Sequence, residues 1–422
     1  MQLLINKNPI YRNIIWNMAF VIIGYGLASL TDMKSNIVWQ PLKVLFLLYS
    51  MLRISRFYQN DIVLKKVYIF SILVMLTIPF SVNVLGTLKR VFVMILPMIY
   101  VAASLRALFL VYSWDNILMA LLKSFRWIFV IPSISFILFG GDLSQTDMYG
   151  EVVGAFVSNH YGWGAFMVIT SHWLLIQFKE VKVISVWTGL AIFNFFLLLI
   201  SGSRSGLLSI LVAFAFWFFS KRGHIVLKLG VTVVFIYLTI SLLNSDSALS
   251  ERLYKTQTQL EVNEENTDDD YYSNSAYMAD SRATARAIAS LAFINNPQLY
   301  FTGMGIFAFR DGLHEYAPWA DANYYRSGIH SSYLEIYFGS GILVFAFFLW
   351  YFTLKPLLTY LKYFRNKMLF YFGATLIIPF FESNITAGQF MFYPWFISIF
   401  FLMYFKENID NKPEKNRIIK SN

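Results

Sequence analysis

Runs of about 20 apolar residues, separated mostly by short polar turns, recur along almost the whole of this 422-residue chain. A helix that crosses the hydrocarbon of a bilayer needs a run of that length. A water-soluble fold has no place for so many of them, and the composition agrees. The chain is 57% hydrophobic and 14% charged. Soluble domains run at roughly 45–50% and about 25%, and a soluble core this apolar would leave too little polar surface to cover it. Disorder, coiled coil, collagen and a disulfide-stapled scaffold are excluded on the same numbers. With no cysteine, thiolate catalysis, iron–sulfur clusters and cysteine-ligated zinc are excluded as well. The expectation is an all-α polytopic membrane protein.

Twelve spans are expected: 14–31, 36–52, 67–85, 91–112, 123–140, 161–178, 183–200, 206–220, 225–243, 331–354, 368–382 and 390–405. The first begins at residue 14 with no small-residue cleavage site after it, so it reads as a retained helix. Lys and Arg accumulate on the cytoplasmic side of such helices. Placing the N-terminus inside puts 21 of the 34 basic residues in inside segments, 10 outside and 3 (Lys43, Arg106, Lys228) within spans. The alternation then holds throughout, except at Lys89 and Arg90, which fall in an outside turn. An even number of spans leaves both termini cytoplasmic. The organisation is therefore helices 1–9 over 1–243, a large external loop at 244–330, helices 10–12 over 331–405, and a tail at 406–422. The net charge of +10 invites a nucleic-acid reading. Most of the excess is cytoplasmic and sets topology, while the large loop holds 12 acidic and 6 basic residues, so no nucleic-acid partner is expected.

A connection of this length usually carries function. Its acidic run, Glu264-Glu265-Asn266-Thr267-Asp268-Asp269-Asp270, reads as solvated surface. It lacks the glycine and terminal glutamate of a calcium loop. A helix is expected from Ser275 to about Asn295, ended by Pro297, and Gly303-Met304-Gly305 reads as a flexible turn.

Three constellations carry chemistry. Ser201-Gly202-Ser203-Arg204-Ser205-Gly206 is an outer turn whose glycines admit a ligand close to the backbone. Its serines and helix-start N–H groups suit an anion, and Arg204 adds a fork matched to phosphate oxygens. The plain alternative is a snorkelling lipid contact. Arg282 and Arg286, four residues apart on the loop helix, stack on one face. That face is either a diphosphate clamp or ordinary solvated surface. His330 stands where the loop re-enters the membrane, in His330-Ser331-Ser332-Tyr333-Leu334-Glu335. Its imidazole can accept a proton near neutral pH, or it is simply an interfacial residue. Glu335, five residues on, lies just past the facing position. No outer Asp-x-Asp pair, Walker loop, dinucleotide fingerprint or metalloprotease His-Glu motif appears, so no metal or other cofactor is expected. The spans also lack the mid-membrane carboxylates of an ion-coupled transporter.

In order along the chain, these stretches resemble the O-antigen ligase/polymerase superfamily of WaaL-type ligases and Wzy-type polymerases. Gly154–His160 is similar to its polar turn before a central helix, and Ser201–Gly206 to its Ser-x-Ser-Arg-x-Gly turn. Arg282 with Pro297 and Gly303-x-Gly305 is similar to its loop segment. His330-Ser-Ser-Tyr-Leu-Glu335 with Gly341 is similar to its His-Asn/Ser-x-x-Leu-Glu…Gly segment.

The resemblance implies metal-independent, inverting glycosyl transfer on the outer face of a bacterial inner membrane. The donor would be an undecaprenyl-diphosphate-linked oligosaccharide. Arg204 and Arg282 would hold its diphosphate and neutralise the leaving group, and His330 would take the acceptor hydroxyl's proton. Arg286, Arg310, Arg326 and Glu335 are weaker substrate-binding candidates. Tyr316, Trp319, Tyr324 and Tyr325 are either sugar-stacking groups or an interfacial aromatic belt. The bilayer and a chain-length regulator protein are the implied partners. The leading expectation is a polymerase of repeat units that builds O-antigen or capsular polysaccharide. The first alternative is a ligase to lipid A–core, and the second a lipid-linked glycan transporter.

Overall fold

The computed structural model describes residues 2–30, 36–57, 61–138, 161–200, 210, 211, 218, 276–306, 308–320, 331–363 and 389–410. Every longer element among them is a helix. In chain order these are α1 (Gln2–Lys7), α2 (Pro9–Leu30), α3 (Asn36–Arg53), α4 (Ile62–Thr77), α5 (Val84–Val111), α6 (Trp114–Leu138), α7 (Tyr161–Gln177) and α8 (Val186–Ile200). After them come α9 (Ala276–Asn295), α10 (Leu299–Thr302), α11 (Phe309–Tyr316), α12 (Ser332–Phe348), α13 (Lys355–Tyr363) and α14 (Gln389–Asp410).

Among the described residues, three helical segments are long and apolar enough to cross a membrane: Ile62–Phe80, Val84–Val111 and Tyr333–Tyr363. The first is 19 residues long, about 28 Å at 1.5 Å per residue, close to the roughly 30 Å of a hydrocarbon core. Their outward faces are those of a lipid-facing protein. Ile69, Ile72 and Leu76 on α4, Leu52 on α3 and Leu110 on α5 are exposed, and such a surface suits lipid far better than water. Expected spans 1, 2, 5–7 and 12 coincide with helices α2, α3, α6–α8 and α14. Only scattered residues of span 8 are described, and spans 9 and 11 lie outside the described residues.

Helices α2, α4, α5 and α6 begin five to nine residues before the expected spans. Helix α5 starts seven residues before the expected 91, because the Asn83 side chain caps it by accepting from the Gly86 N–H. Lys89 and Arg90 therefore sit inside the helix, not in a turn. Arg106 was expected in mid-span. Its guanidinium reaches out of α5 to donate to the Phe57 carbonyl at 3.1 Å, in the α3–α4 connection.

The helical bundle has one apolar core, and the loop helices have another. Ala285, Ile288, Ala289, Ala292 and Phe293 form one buried stripe of α9 at the 3.6-residue period. They pack with Leu299, Met304, Phe309 and Leu313 against Phe338 of α12. Phe293 fixes the contact, its ring 5.4 Å from Tyr300 and 5.2 Å from Phe338.

Candidate functional site

The loop helices are sewn to the bundle at a break in α12. Gly341 has φ 78 and ψ 176, a left-handed conformation that only glycine adopts cheaply. The helix is interrupted there, and carbonyls just before the break lose their intrahelical donors. The loop supplies replacements: Met304 N–H donates to Phe338 O at 2.8 Å, and Gly305 N–H to Gly339 O at 2.9 Å. Interrupted backbone at membrane depth survives only when protein satisfies it in this way. The same stretch of loop also meets the α4–α5 turn, where Val82 N–H and Ser81 Oγ each lie 3.4 Å from Met304 O. Ser81 Oγ bonds Thr87 Oγ1 at 2.7 Å, and Asn83 Nδ2 donates to Asp311 on α11 at 2.8 Å. Gly303-Met304-Gly305, expected to be a flexible turn, is thus a clamped segment without regular secondary structure. A Cβ on Gly305, whose φ is +106, would meet Ser81 Oγ at 1.9 Å.

This seam ties the Ser81–Asn83 turn before α5 and the Phe338–Gly339 stretch of α12 to one loop segment. Helix α12 begins after Ser331, whose hydroxyl caps it by accepting from Leu334 N–H. One turn in, Glu335 is buried, 6% exposed. The cation that acts on it is Arg90 of α5. Sequence reasoning passed Arg90 over, although a signal was present: with Lys89 it breaks the inside bias of basic residues.

The other site expectations fall as follows. Arg286 is half-buried at the border of the apolar stripe of α9, and burial holds its guanidinium below the usual arginine range. Arg282 lies on α9 four residues earlier, with its side chain outside the described residues. Arg310 is exposed in the first turn of α11. Of the stacking candidates, Trp319 is exposed and Tyr316 is half-buried, its phenol raised by burial and by Glu315. Arg204, Arg326, His330, Tyr324 and Tyr325 lie outside the described residues, as do the Gly154–His160 and Ser201–Gly206 turns and the acidic run. Lys43 lies on α3, its side chain likewise not described.

Residues 189–349 match the family model described as O-antigen ligase. No curated protein matches the chain.

Proposed function

Because residues 189–349 place this chain in the O-antigen ligase/polymerase superfamily, we propose that it joins oligosaccharide repeat units carried on undecaprenyl diphosphate into O-antigen or capsular polysaccharide. One observation carries the reading: the matched stretch contains Arg204, Arg282 and His330, the three residues whose chemistry such a transfer needs. Arg204 and Arg282 hold the donor diphosphate and offset the charge that grows on it as the anomeric bond breaks. His330 accepts the proton of the attacking hydroxyl. Attack in line on the anomeric carbon inverts it, and the leaving group departs as the lipid diphosphate. The reaction needs no metal, because the guanidinium groups supply the positive charge. The site faces the exterior of the cytoplasmic membrane, where finished repeat units are presented, and a chain-length regulator would act beside it.

The description of the matching family favours a second reading, in which the finished glycan passes to lipid A–core. A gene deletion complemented with native or variant protein separates the two on a gel of surface glycan. A polymerase deletion leaves one repeat unit on the acceptor, and a ligase deletion leaves none. His330→Ala is expected to restore no ladder. A full ladder from that variant would remove the proton-acceptor role. Arg204→Ala and Arg282→Ala are expected to lose most product, with Lys a partial rescue, since an ammonium lacks the bidentate fork.

A further inference from the structure

The loop helices carry apolar side chains on two faces, and only one of those faces is packed into a core among the described residues. We propose that α9 and α10 dip into the leaflet on the loop side of the bilayer through Leu291, Ile294 and Phe301, so that lipid hydrocarbon covers the second face. The inference goes beyond the transfer reading and stands without it.

Four observations lead there. The first is in the sequence. Between Arg286 and Arg310 the chain runs for 23 residues without a charge, in a loop that otherwise holds 12 acidic and 6 basic residues. Water gives a loop no reason to exclude charge over such a length, whereas hydrocarbon penalises every one. Second, α9 is apolar on two sides. Ala285, Ile288, Ala292 and Phe293 pack into the loop core, while Leu291 and Ile294 are 46% and 60% exposed and, three residues apart, are neighbours on another face. The apolar part of this helix, Ala285–Asn295, is shorter than a membrane span. It measures about 17 Å at 1.5 Å per residue against roughly 30 Å of hydrocarbon, the length of an interfacial segment.

Third, the membrane spans set the depth. Met304 O lies 3.4 Å from Val82 N and from Ser81 Oγ. Those two residues stand between the end of the Ile62–Phe80 span and the start of the Val84–Val111 span. Met304 is therefore level with the ends of two membrane helices, and Phe301, 63% exposed, is three residues from it. Fourth, the lipid-facing surface continues to α10. The Phe301 carbonyl lies against Gly341, where a Cβ would meet it at 2.5 Å. The next two residues, Ile342 and Leu343, are exposed on the Tyr333–Tyr363 span. Lipid that covers those two meets α10 next. The anchor also has a consequence for the loop. Arg286 precedes Leu291 by five residues, about 8 Å along the helix, so embedding Leu291 holds Arg286 at the level of lipid headgroups.

The chain has no cysteine, so single-cysteine variants take one label each. Leu291→Cys, Ile294→Cys and Phe301→Cys are labelled with an environment-sensitive fluorophore in full-length protein in phosphatidylcholine nanodiscs. Glu315→Cys, at an exposed position of α11, is the reference. Two quenchers are compared, a nitroxide on the lipid acyl chains and aqueous iodide. The labels at Leu291, Ile294 and Phe301 are expected to be quenched by the nitroxide and to lose quenching by iodide, and the Glu315 label to show the reverse. Iodide quenching at all four positions overturns the proposal, since the face is then solvated. Protection from both quenchers overturns it as well, since protein then covers the face. Melting curves check the fold of each labelled variant, and an unlabelled pair gives a second reading. Ile294→Asp should melt about 2–4 °C below the nearly isosteric Ile294→Asn in nanodiscs at neutral pH, because only the charged side chain resists hydrocarbon. Equal midpoints for the pair count against the anchor and overturn it.

Discussion

The two ends of the bundle are joined by different kinds of bond. At the end away from the loop helices, charged side chains make the contacts between helices. Asp61 caps α4 by accepting from Leu64 N–H and also accepts a hydrogen bond from the Tyr404 hydroxyl. Lys123 pairs with Glu180 at 2.8 Å. Arg126, buried on α6, lies 3.8 Å from the centre of the Trp187 ring and donates to His172 Nδ1 at 3.4 Å. A guanidinium has no acceptor, so His172 must present a bare Nδ1 and carry its proton on Nε2. That proton goes to Thr188 Oγ1 at 3.0 Å, and Thr188 donates in turn to the Val183 carbonyl. At the loop end, by contrast, backbone makes the join: Met304 and Gly305 N–H donate to the Phe338 and Gly339 carbonyls beside the break at Gly341. A side-chain contact can be deleted by one substitution, whereas a backbone join is lost only when the loop segment itself is displaced.

That contrast can be broken by stability measurements in detergent. The largest expected effect is at the seam. Gly305→Ala forces a Cβ into Ser81 Oγ at a positive φ and should cost about 2–4 kcal/mol, seen as a lowered melting midpoint with loss of transfer. Arg126→Ala removes a buried stacked and hydrogen-bonded cation. It should cost about 2–3 kcal/mol, with specific activity of the remaining folded protein unchanged. If Arg126→Ala instead abolishes transfer in fully folded protein, the division between the two ends fails.

A smaller effect is a pH slope. Burial pushes Glu407, beyond the expected last span, up to about 7 from an ordinary value of 4.5, with Asp61 adding to the rise. Its folded-state value is raised, so its stabilising contribution is complete below 4.5 and is lost as pH rises through about 7. The melting midpoint should decline over that window, and Glu407→Gln should flatten the decline. Smallest is Lys123→Ala. The Lys123–Glu180 pair is 30% and 39% exposed, so its loss should cost under about 1 kcal/mol and should shrink further in high salt.

Much of the architecture was legible in the chain. Length and apolarity of the runs located the described helices, because a bilayer imposes those two requirements directly. The α9 helix was readable from its alanines and its terminating Pro297. Motif order pointed to the family whose model spans 189–349. What escaped were features that depend on distant partners. The start of α5 hinged on one asparagine cap. The Gly303–Gly305 segment looked loose, because glycine's freedom is visible in a sequence and the contacts that cancel it are not. Arg90 looked like an exception to a topology rule, and nothing local tied it to a carboxyl some 245 residues away.

By itself, then, the sequence determined the helical class and pointed to the family whose model matches 189–349, since both are written in composition, run length or spacing. Only the tertiary structure decided which loop backbone repairs the break at Gly341 and which polar groups are already answered. Those are matters of hydrogen-bond satisfaction between segments remote along the chain, and no local pattern encodes them.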